Sequence, residues 1–483
     1  MKSGLKILSF MIVLESSNPT NLGACTTILV GKNASAEGSV MMGHNEDLGL
    51  ETTGRLWRSD PEHTDPLRTV SVPYVHVTLS APAFSYWASG NTKGSSGLGI
   101  FEEYQPYDSV LVGMNEAGVS MSCNWVYSRE EARMKSGIRR YAIRQLILEH
   151  SQSALDAVRL IGQLIDTYGQ ADWGGLIYNV ADSNEAWVVE TTSSQWVALR
   201  VSDHEVYGVA NRFTIGANFD YASKNLIDFA YKKGWYHPDL ETFSFRDVYG
   251  NPERMNDAFD MDREDRIRSL LESKIGRVTI EDMFAVLRDR YEGTNKFTPP
   301  MSSVLTREMV ASQEGLFRSI SVNTCQSSTV AHLRGDLPQE VGSVLWFAMA
   351  NPGYSGYFPV YPVSETIPEF YETDHFAYSP DSAWWTFKLL QATDRLSHEQ
   401  SYQPVRSHWE EYQEQTLKDQ NATEKLAIES LQKGDGLSAK RLLSGFTKKK
   451  ALQAFSTAKT LLNKKQNPGS KTLHASFPKK ISY

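Results

Sequence analysis

The spacing of apolar residues along the chain changes between two patterns, one typical of strands and one typical of helices. Short runs and alternations of apolar residues, bounded by turn-forming residues, predict strands. These segments are 26–30, 39–44, 108–114, 119–127, 175–180, 186–191, 196–201, 205–210, 317–322, 329–334 and 342–349. The first pair and the second pair are each joined by a short turn-rich segment, which predicts two β-hairpins.

Between the strands, apolar residues recur with the spacing of amphipathic helices. This spacing predicts helices over 138–150, 154–168, 222–233 and 280–291. Ser153 with Asp156, and Thr279 with Asp282, supply capping pairs at the starts of the second and fourth helices. Because blocks of antiparallel strands are separated by pairs of helices, the pattern predicts an α+β fold of stacked sheets and helices.

The C-terminal region is basic, whereas the rest of the chain is acidic. Residues 436–483 contain 11 Lys or Arg and no Asp or Glu, so with a net charge of −8 the remainder carries −19. Apolar residues lie between the lysines at helical spacing, which predicts helices packed on the acidic body rather than a nucleic-acid-binding tail. These are Leu442, Leu443, Phe446, Leu452, Phe455, Leu461 and Leu462.

Length and composition are those of a soluble globular protein. A chain of 483 residues that is 41% hydrophobic and 22% charged can bury a large core. The predicted organisation is a removable segment at 1–24, a catalytic domain at 25–410 and a basic helical segment at 411–483. The sequence leaves monomer and homo-oligomer open.

Motifs for metal and nucleotide chemistry are absent from the sequence. It contains no His-Glu-x-x-His, no Cys-x-x-Cys, no phosphate-binding Gly-x-x-x-x-Gly-Lys and no Gly-x-Ser-x-Gly. The glycine-rich stretch 90–99 lacks the strand and helix context of a phosphate-binding loop and is predicted to be an ordinary loop. We therefore expect no metal and no cofactor.

The N-terminal segment has the order of a secretory signal peptide. Two lysines in 1–6 are followed by an apolar stretch at 7–14 and a polar stretch at 15–21. The apolar stretch is too short to span a bilayer. Cleavage before Cys25 would make the protein secreted or periplasmic in a bacterium. Two alternatives stay open: an uncleaved tail, or a lipobox over 22–25 in which Cys25 carries a lipid anchor.

Cys25 would gain unusual chemistry as a first residue. Its thiol could attack a carbonyl carbon while its own α-amino group, with a pKa of about 7.7 to 8.0, accepts the thiol proton. The chain has three cysteines, too few for a disulfide framework, and Cys123 and Cys325 are predicted to be small buried residues.

Several segments, taken in order, resemble a known family. These are CTTILVGKNASAEGS at 25–39, GHNEDL at 43–48, VGMNEAGVSMSCNW at 112–125, YNVADSNEAWVVE at 178–190, GVANRFTIG at 208–216 and FRSISVNTCQSSTVAHLR at 317–334. Together they resemble the PepD-like cysteine dipeptidases, which are N-terminal nucleophile hydrolases like bile salt hydrolases and penicillin V acylases. The resemblance implies a four-layer αββα sandwich with added C-terminal helices.

The resemblance also implies roles for individual residues. Cys25 matches the nucleophile, and Asp47 matches the aspartate that orients the terminal amine. Asn124 and Asn211 match donors to the oxyanion of the tetrahedral intermediate. We also assign roles to Arg318, which matches a late arginine near the nucleophile, and to Arg212, which could bind a charged end of the substrate.

One position departs from the acylase relatives. His44 stands where they place an arginine beside the nucleophile, so it could supply the positive charge only in part. The predicted function is a cysteine-type dipeptidase that acts on dipeptides. The alternatives are an acylase for another linear amide, or a lipid-anchored binding protein without catalysis.

Overall fold

The computed structural model describes most of the chain from Cys25 to the end of the last helix. The described residues are 25–47, 53–61, 67–72, 75–80, 83–91, 109–131, 133, 136–172, 174–239, 242–297, 318–373, 378–392 and 403–466. The segment 1–24, most of the glycine-rich stretch 90–99 and the tail after 466 lie outside these residues.

The strands form two large antiparallel sheets and one small hairpin. The first sheet has the order β12-β1-β2-β14-β15-β16, and the second has the order β13-β11-β10-β9-β8-β7-β6-β3. The strands are β1 Thr26–Val30, β2 Val40–Asp47, β3 Gly54–Ser59, β4 Leu67–Val72, β5 Val75–Ser80, β6 Tyr86–Asn91, β7 Ser109–Asn115, β8 Ser120–Val126, β9 Gly175–Ala181, β10 Ala186–Thr191, β11 Trp196–Arg200, β12 Val206–Val209, β13 Tyr221–Ala222, β14 Cys325–Leu333, β15 Ser343–Met349 and β16 Phe358–Val360. Among the described strands, β4 and β5 pair only with each other.

Some of the helices cover the outer faces of the two large sheets, and the longest two lie at the C-terminal end of the described chain. They are α1 Arg140–His150, α2 Ala154–Tyr168, α3 Leu226–Lys232, α4 Phe245–Tyr249, α5 Ala258–Leu271, α6 Ile280–Leu287, α7 Gln339–Gly342, α8 Ala383–Ala392, α9 Gln403–Gln432 and α10 Gly436–Gln466. None of the described helices is both long and apolar enough to cross a membrane.

The two large sheets pack face to face between two helical layers. Leu29 and Met42 of the first sheet share a core with Ile177 and Val188 of the second. Helices α1 and α2 bury their apolar faces on the outer side of the second sheet, and α5 and α6 do so on the first. This arrangement confirms the predicted αββα sandwich.

Most predicted elements are present, with boundaries that shift by a few residues. Helix 154–168 begins and ends as predicted, and Ser153 caps it by accepting from the amide of Asp156. The predicted helix 222–233 begins only at Leu226, and the predicted helix 280–291 ends at Leu287. The capping pair of Thr279 and Asp282 is present.

The predicted strand 317–322 is wrong for its described part, 318–322. The amide of Ser321 donates to the carbonyl of Asp289, and the carbonyl of Ser321 accepts from Arg290 Nη1 at 2.6 Å. These bonds tie the segment to the turn after α6 instead of to a sheet. Ile320 of this segment is buried in the core without strand pairing.

Helices α9 and α10 form a C-terminal hairpin that packs on α8 and β16. A buried ion pair anchors it, because Glu424 of α9 accepts from Arg334 at 2.7 and 2.8 Å. Tyr361 and Gln420 also donate to Glu424, at 2.7 and 2.9 Å. The hairpin is therefore fixed to the end of β14 by a fully hydrogen-bonded carboxylate.

Replacing Glu424 by Gln should lower the free energy of unfolding by about 3 kcal/mol, because Arg334 would remain buried without its counterion. The matched control is Glu414→Gln on the same helix, whose partner Lys418 is solvent-exposed; it should change the free energy by less than about 0.5 kcal/mol. Urea unfolding of both variants measures the difference. Equal effects would show that the buried pair does not anchor the hairpin.

Candidate active site

Cys25 lies at the start of β1, beside the end of the antiparallel neighbour β2. In the register of these strands Thr26 faces Asn45, which places Cys25 next to Glu46 and Asp47. The Cys25 Sγ atom is 3.6 Å from Glu46 Oε1 and 3.8 Å from the main-chain oxygen of Asp47. Only 4% of Cys25 is exposed. The thiol is thus enclosed by two acidic residues of one strand.

Burial and these acidic neighbours together keep the thiol protonated. Desolvation raises the pKa of Cys25 well above its ordinary value, and the negative charges of Glu46 and Asp47 raise it further. A thiolate is therefore not present in advance at this position. The thiol needs a nearby base that accepts its proton during the reaction.

A polar network between the two sheets supports the start of β1. Asn124 of β8 donates from Nδ2 to the carbonyl oxygens of Cys25 and Ala210, at 2.9 and 3.0 Å. Its Oδ1 accepts from Thr27 at 2.7 Å and from Asn179 at 3.0 Å. Both hydrogens of the Asn124 amide are therefore used by main-chain carbonyls.

The network also determines the hydrogen-bonding role of His44 Nδ1. The Thr27 hydroxyl donates to Asn124 and lies 2.8 Å from His44 Nδ1, so it accepts a hydrogen bond from that nitrogen. The other ring nitrogen, Nε2, is 3.0 Å from Glu46 Oε2. With Nδ1 directed at Thr27, Nε2 is the ring nitrogen that faces the Glu46 carboxylate.

Arg263 of α5 holds the Cys25 backbone from the other side. Its Nη1 donates to the Cys25 carbonyl oxygen at 2.8 Å and to Thr26 Oγ1 at 2.9 Å. Its Nη2 donates to Asn211 Oδ1 at 2.9 Å and also pairs with Asp260. A fully buried guanidinium thereby links the nucleophile's main chain to Asn211.

Asp47 is a buried carboxylate among cationic groups. Among the described residues neither of its side-chain oxygens accepts a hydrogen bond of ordinary geometry, although the Cys325 thiol lies close by. Desolvation raises the pKa of Asp47 well above its usual range, while Arg318 and Arg263 act in the opposite direction. Desolvation and repulsion from Arg263 lower the pKa of Arg318 to about 10, so it remains cationic at neutral pH.

The structure brings most of the predicted site residues together. Cys25, His44, Asp47 and Asn124 belong to one connected cluster, and Arg318 lies near enough to influence the pKa of Asp47. Asn211 joins the cluster through Arg263, and its Nδ2 donates to the Trp125 carbonyl at 2.7 Å.

Arg212 is held by partners outside this cluster. It forms a two-nitrogen ion pair with Glu264 of α5, at 2.6 and 2.9 Å, and also donates to the Met255 carbonyl. Its predicted contact with substrate stays a prediction, because the guanidinium would have to leave an existing partner.

Sequence reasoning missed three residues of this cluster: Glu46, Asn179 and Arg263. Strand periodicity could have found Glu46, since it lies two residues from His44 on the same face of β2. Arg263 gave no such signal, because its helix is rich in charged residues and resembles a solvated surface helix.

The chain is similar to known proteins over most of its length. The model of the family described as "Peptidase family C69" matches residues 24–415. The chain is 25% identical over 399 residues to a protein named probable dipeptidase from Latilactobacillus sakei, covering 76% of this chain and 80% of that one. It is 26% identical over 406 residues to probable dipeptidase A from Streptococcus pyogenes, covering 76% and 82%.

Similar solved structures are more distant. Penicillin V acylase from Agrobacterium tumefaciens aligns with a TM-score of 0.39 at 14% identity, over 70% of this chain and 86% of that one. A mutant of conjugated bile acid hydrolase from Clostridium perfringens aligns with a TM-score of 0.40 at 13% identity, over 74% and 97%.

Proposed function

The chain belongs to peptidase family C69 and is therefore a peptide-bond hydrolase; we propose that it is a cysteine dipeptidase whose nucleophile is Cys25 as the first residue of the mature chain. The family match confirms the resemblance found in the sequence. The relatives named as dipeptidases support the substrate class.

One observation carries the proposal for the nucleophile. The Cys25 thiol needs a base, and beside it lies the Asp47 carboxylate, whose oxygens accept no hydrogen bond of ordinary geometry from the described residues. Buried carboxylates are rarely left in this state. The terminal ammonium of a chain that begins at Cys25 would satisfy Asp47, and its neutral form would be the base that the thiol lacks.

The proposed reaction then proceeds in two steps. The amine accepts the thiol proton while Cys25 sulfur bonds to the substrate carbonyl carbon, and it passes that proton to the leaving amine as the C–N bond breaks. Water, deprotonated by the same amine, then releases the acyl group. The remaining N–H of Asn211 would stabilise the oxyanion, whereas Asn124 would first have to release a main-chain carbonyl.

The mechanism implies that residues 1–24 are removed before the enzyme acts. The signal-peptide order of this segment supports export of the protein to the periplasm or out of the cell. We propose cleavage immediately before Cys25, since a lipid on the thiol would prevent catalysis. The mass of the N-terminal peptide from the native protein distinguishes a free cysteine from a lipid adduct.

Free dipeptides should be hydrolysed at least tenfold faster than the same dipeptides carrying an N-acetyl group. A dipeptide presents its charged amine next to the scissile bond, and a hydrogen bond to a charged group is typically worth about 1.5 to 3 kcal/mol. The measurement is kcat/KM of the mature protein on matched free and acetylated dipeptides. Tripeptides and a simple acyl-amide complete the panel.

The same panel identifies the alternative activity. Equal turnover of free and acetylated dipeptides, with faster cleavage of the acyl-amide, would contradict dipeptidase specificity and favour an acylase.

A further inference from the structure

We propose that Cys25, His44 and Glu46 form a binding site for one zinc ion, and that the bound ion inhibits the peptidase. The inhibition rests on the proposed function, because it requires Cys25 to be the nucleophile. Binding itself does not, so the two parts can be tested separately.

The three side chains already have the spacing of a zinc site. Cys25 Sγ, a carboxylate oxygen of Glu46 and a ring nitrogen of His44 all lie within 4.8 Å of one another. Zinc–ligand bonds of about 2.3 Å to sulfur and about 2.1 Å to oxygen place these atoms about 3.6 Å apart in a tetrahedral site. The observed separation of Cys25 Sγ and Glu46 Oε1 is 3.6 Å.

The hydrogen bonds around His44 orient its Nε2 toward Glu46. Its Nδ1 donates to Thr27, and its Nε2 lies 3.0 Å from Glu46 Oε2, the distance of a hydrogen bond. A hydrogen bond or a bound metal ion can join the two groups at this distance. A metal ion would accept a lone pair from each of them and from the thiolate of Cys25 together.

The ligand set favours zinc over harder cations. One sulfur, one imidazole nitrogen and one carboxylate oxygen suit zinc, whereas calcium and magnesium require mostly oxygen ligands. The supporting bonds from Thr27, Asn124 and Asn179 fix the ring of His44, as outer partners do in known zinc sites. Three protein ligands leave the fourth position for water or for the Cys25 amine.

Zinc binding would remove the nucleophile. The thiol gives its proton to solvent when Cys25 sulfur bonds to the metal, and the electron pair that attacks the substrate is then held by zinc. The proton between His44 and Glu46 is displaced as well. The ion acts here as a reversible inhibitor and has no part in the catalytic cycle.

The binding test uses mature protein freed of metal by a chelator and then titrated with Co²⁺. We expect one ion per chain and a sulfur-to-cobalt charge-transfer band, which added Zn²⁺ abolishes. Cys25→Ser should remove the band. Glu46→Gln and His44→Gln should each weaken Co²⁺ and Zn²⁺ binding at least tenfold, while Cys123→Ser, which leaves the three ligands intact, should bind both ions normally.

Several results would contradict the proposed zinc site. Absence of the band in wild-type protein would do so, as would a band that persists in Cys25→Ser. A chelate formed only by the thiol and amine of Cys25 would survive both Glu46→Gln and His44→Gln, and that result would contradict a three-residue site. Circular dichroism verifies that each variant is folded. If either Glu46→Gln or His44→Gln fails to fold, the other still tests the site.

Activity separates the inhibition from the binding. Wild-type dipeptide hydrolysis should fall at least tenfold with one equivalent of Zn²⁺ and return when EDTA is added. Full activity of the zinc-loaded protein would refute inhibition while leaving the site intact. A protein that binds Co²⁺ as expected but hydrolyses no dipeptide without metal would instead contradict the proposed function.

Discussion

Replacing Cys25 by Ala in the mature chain should reduce kcat/KM for dipeptides by about 10⁴- to 10⁶-fold, the usual cost of removing a nucleophile. The main-chain contacts of Cys25 to Asn124 and Arg263 use its carbonyl oxygen, so they survive the substitution. The loss should therefore come from chemistry rather than from unfolding. The measurement is the initial rate at substrate concentrations well below KM.

Cys123→Ser is the matched control for this substitution. Cys123 is also a buried free cysteine, but it lies on the outer face of the second sheet, in the core beneath α1 and α2. We expect it to retain activity within about tenfold of the wild type. Substantial activity in Cys25→Ala would contradict Cys25 as the nucleophile and favour Cys325, which is the cysteine beside Asp47.

The second large effect should come from residues left in front of Cys25. An amide nitrogen delocalises its lone pair into the carbonyl group and cannot act as a base. A chain with an uncleavable Ala-Ser extension should therefore lose about as much activity as Cys25→Ala, although its thiol is intact. Activity assays, together with intact mass to verify that the extension remains, measure the effect.

The extended chain carries its own control in the zinc site. Its Cys25, His44 and Glu46 are unchanged, so it should still bind Co²⁺ while it fails to hydrolyse dipeptides. Loss of both properties would indicate that the extension distorts the site rather than blocks the base.

Local periodicity was enough to predict the elements that surround the site. Strands β1 and β2 combine a regular apolar pattern with a turn, helix α2 combines it with a cap, and helix α1 has the apolar pattern alone. Motif resemblance then identified Cys25, Asp47 and Asn124, which the structure places in one cluster. The element predictions succeeded because each depends on residues close together in the chain, whereas the catalytic roles of these three residues stay predictions.

Contacts between distant segments could not be predicted in the same way. Arg263 reaches Cys25 across 238 positions of sequence, and Arg334 meets Glu424 across 90. Arg263 pairs with Asp260 of its own helix, but its bonds to Cys25 and Asn211 come from other elements. The same is true of the bond between Arg334 and Glu424, and no local pattern encodes these distant partners. The predicted strand at 318–322 is missing for a similar reason. The main chain of this segment forms hydrogen bonds with Asp289 and Arg290, just after α6, instead of with a neighbouring strand.

The central claim, that Cys25 acts as an N-terminal nucleophile, is tested most directly by exposing its amine during the assay. The protein is made with a specific protease site placed so that cleavage leaves Cys25 first, and dipeptide hydrolysis is followed while mass spectrometry counts the cleaved chains. We predict almost no activity before cleavage and a rate that rises in proportion to the fraction of chains beginning at Cys25. Full activity before cleavage, in chains shown to retain the extension, would contradict the claim.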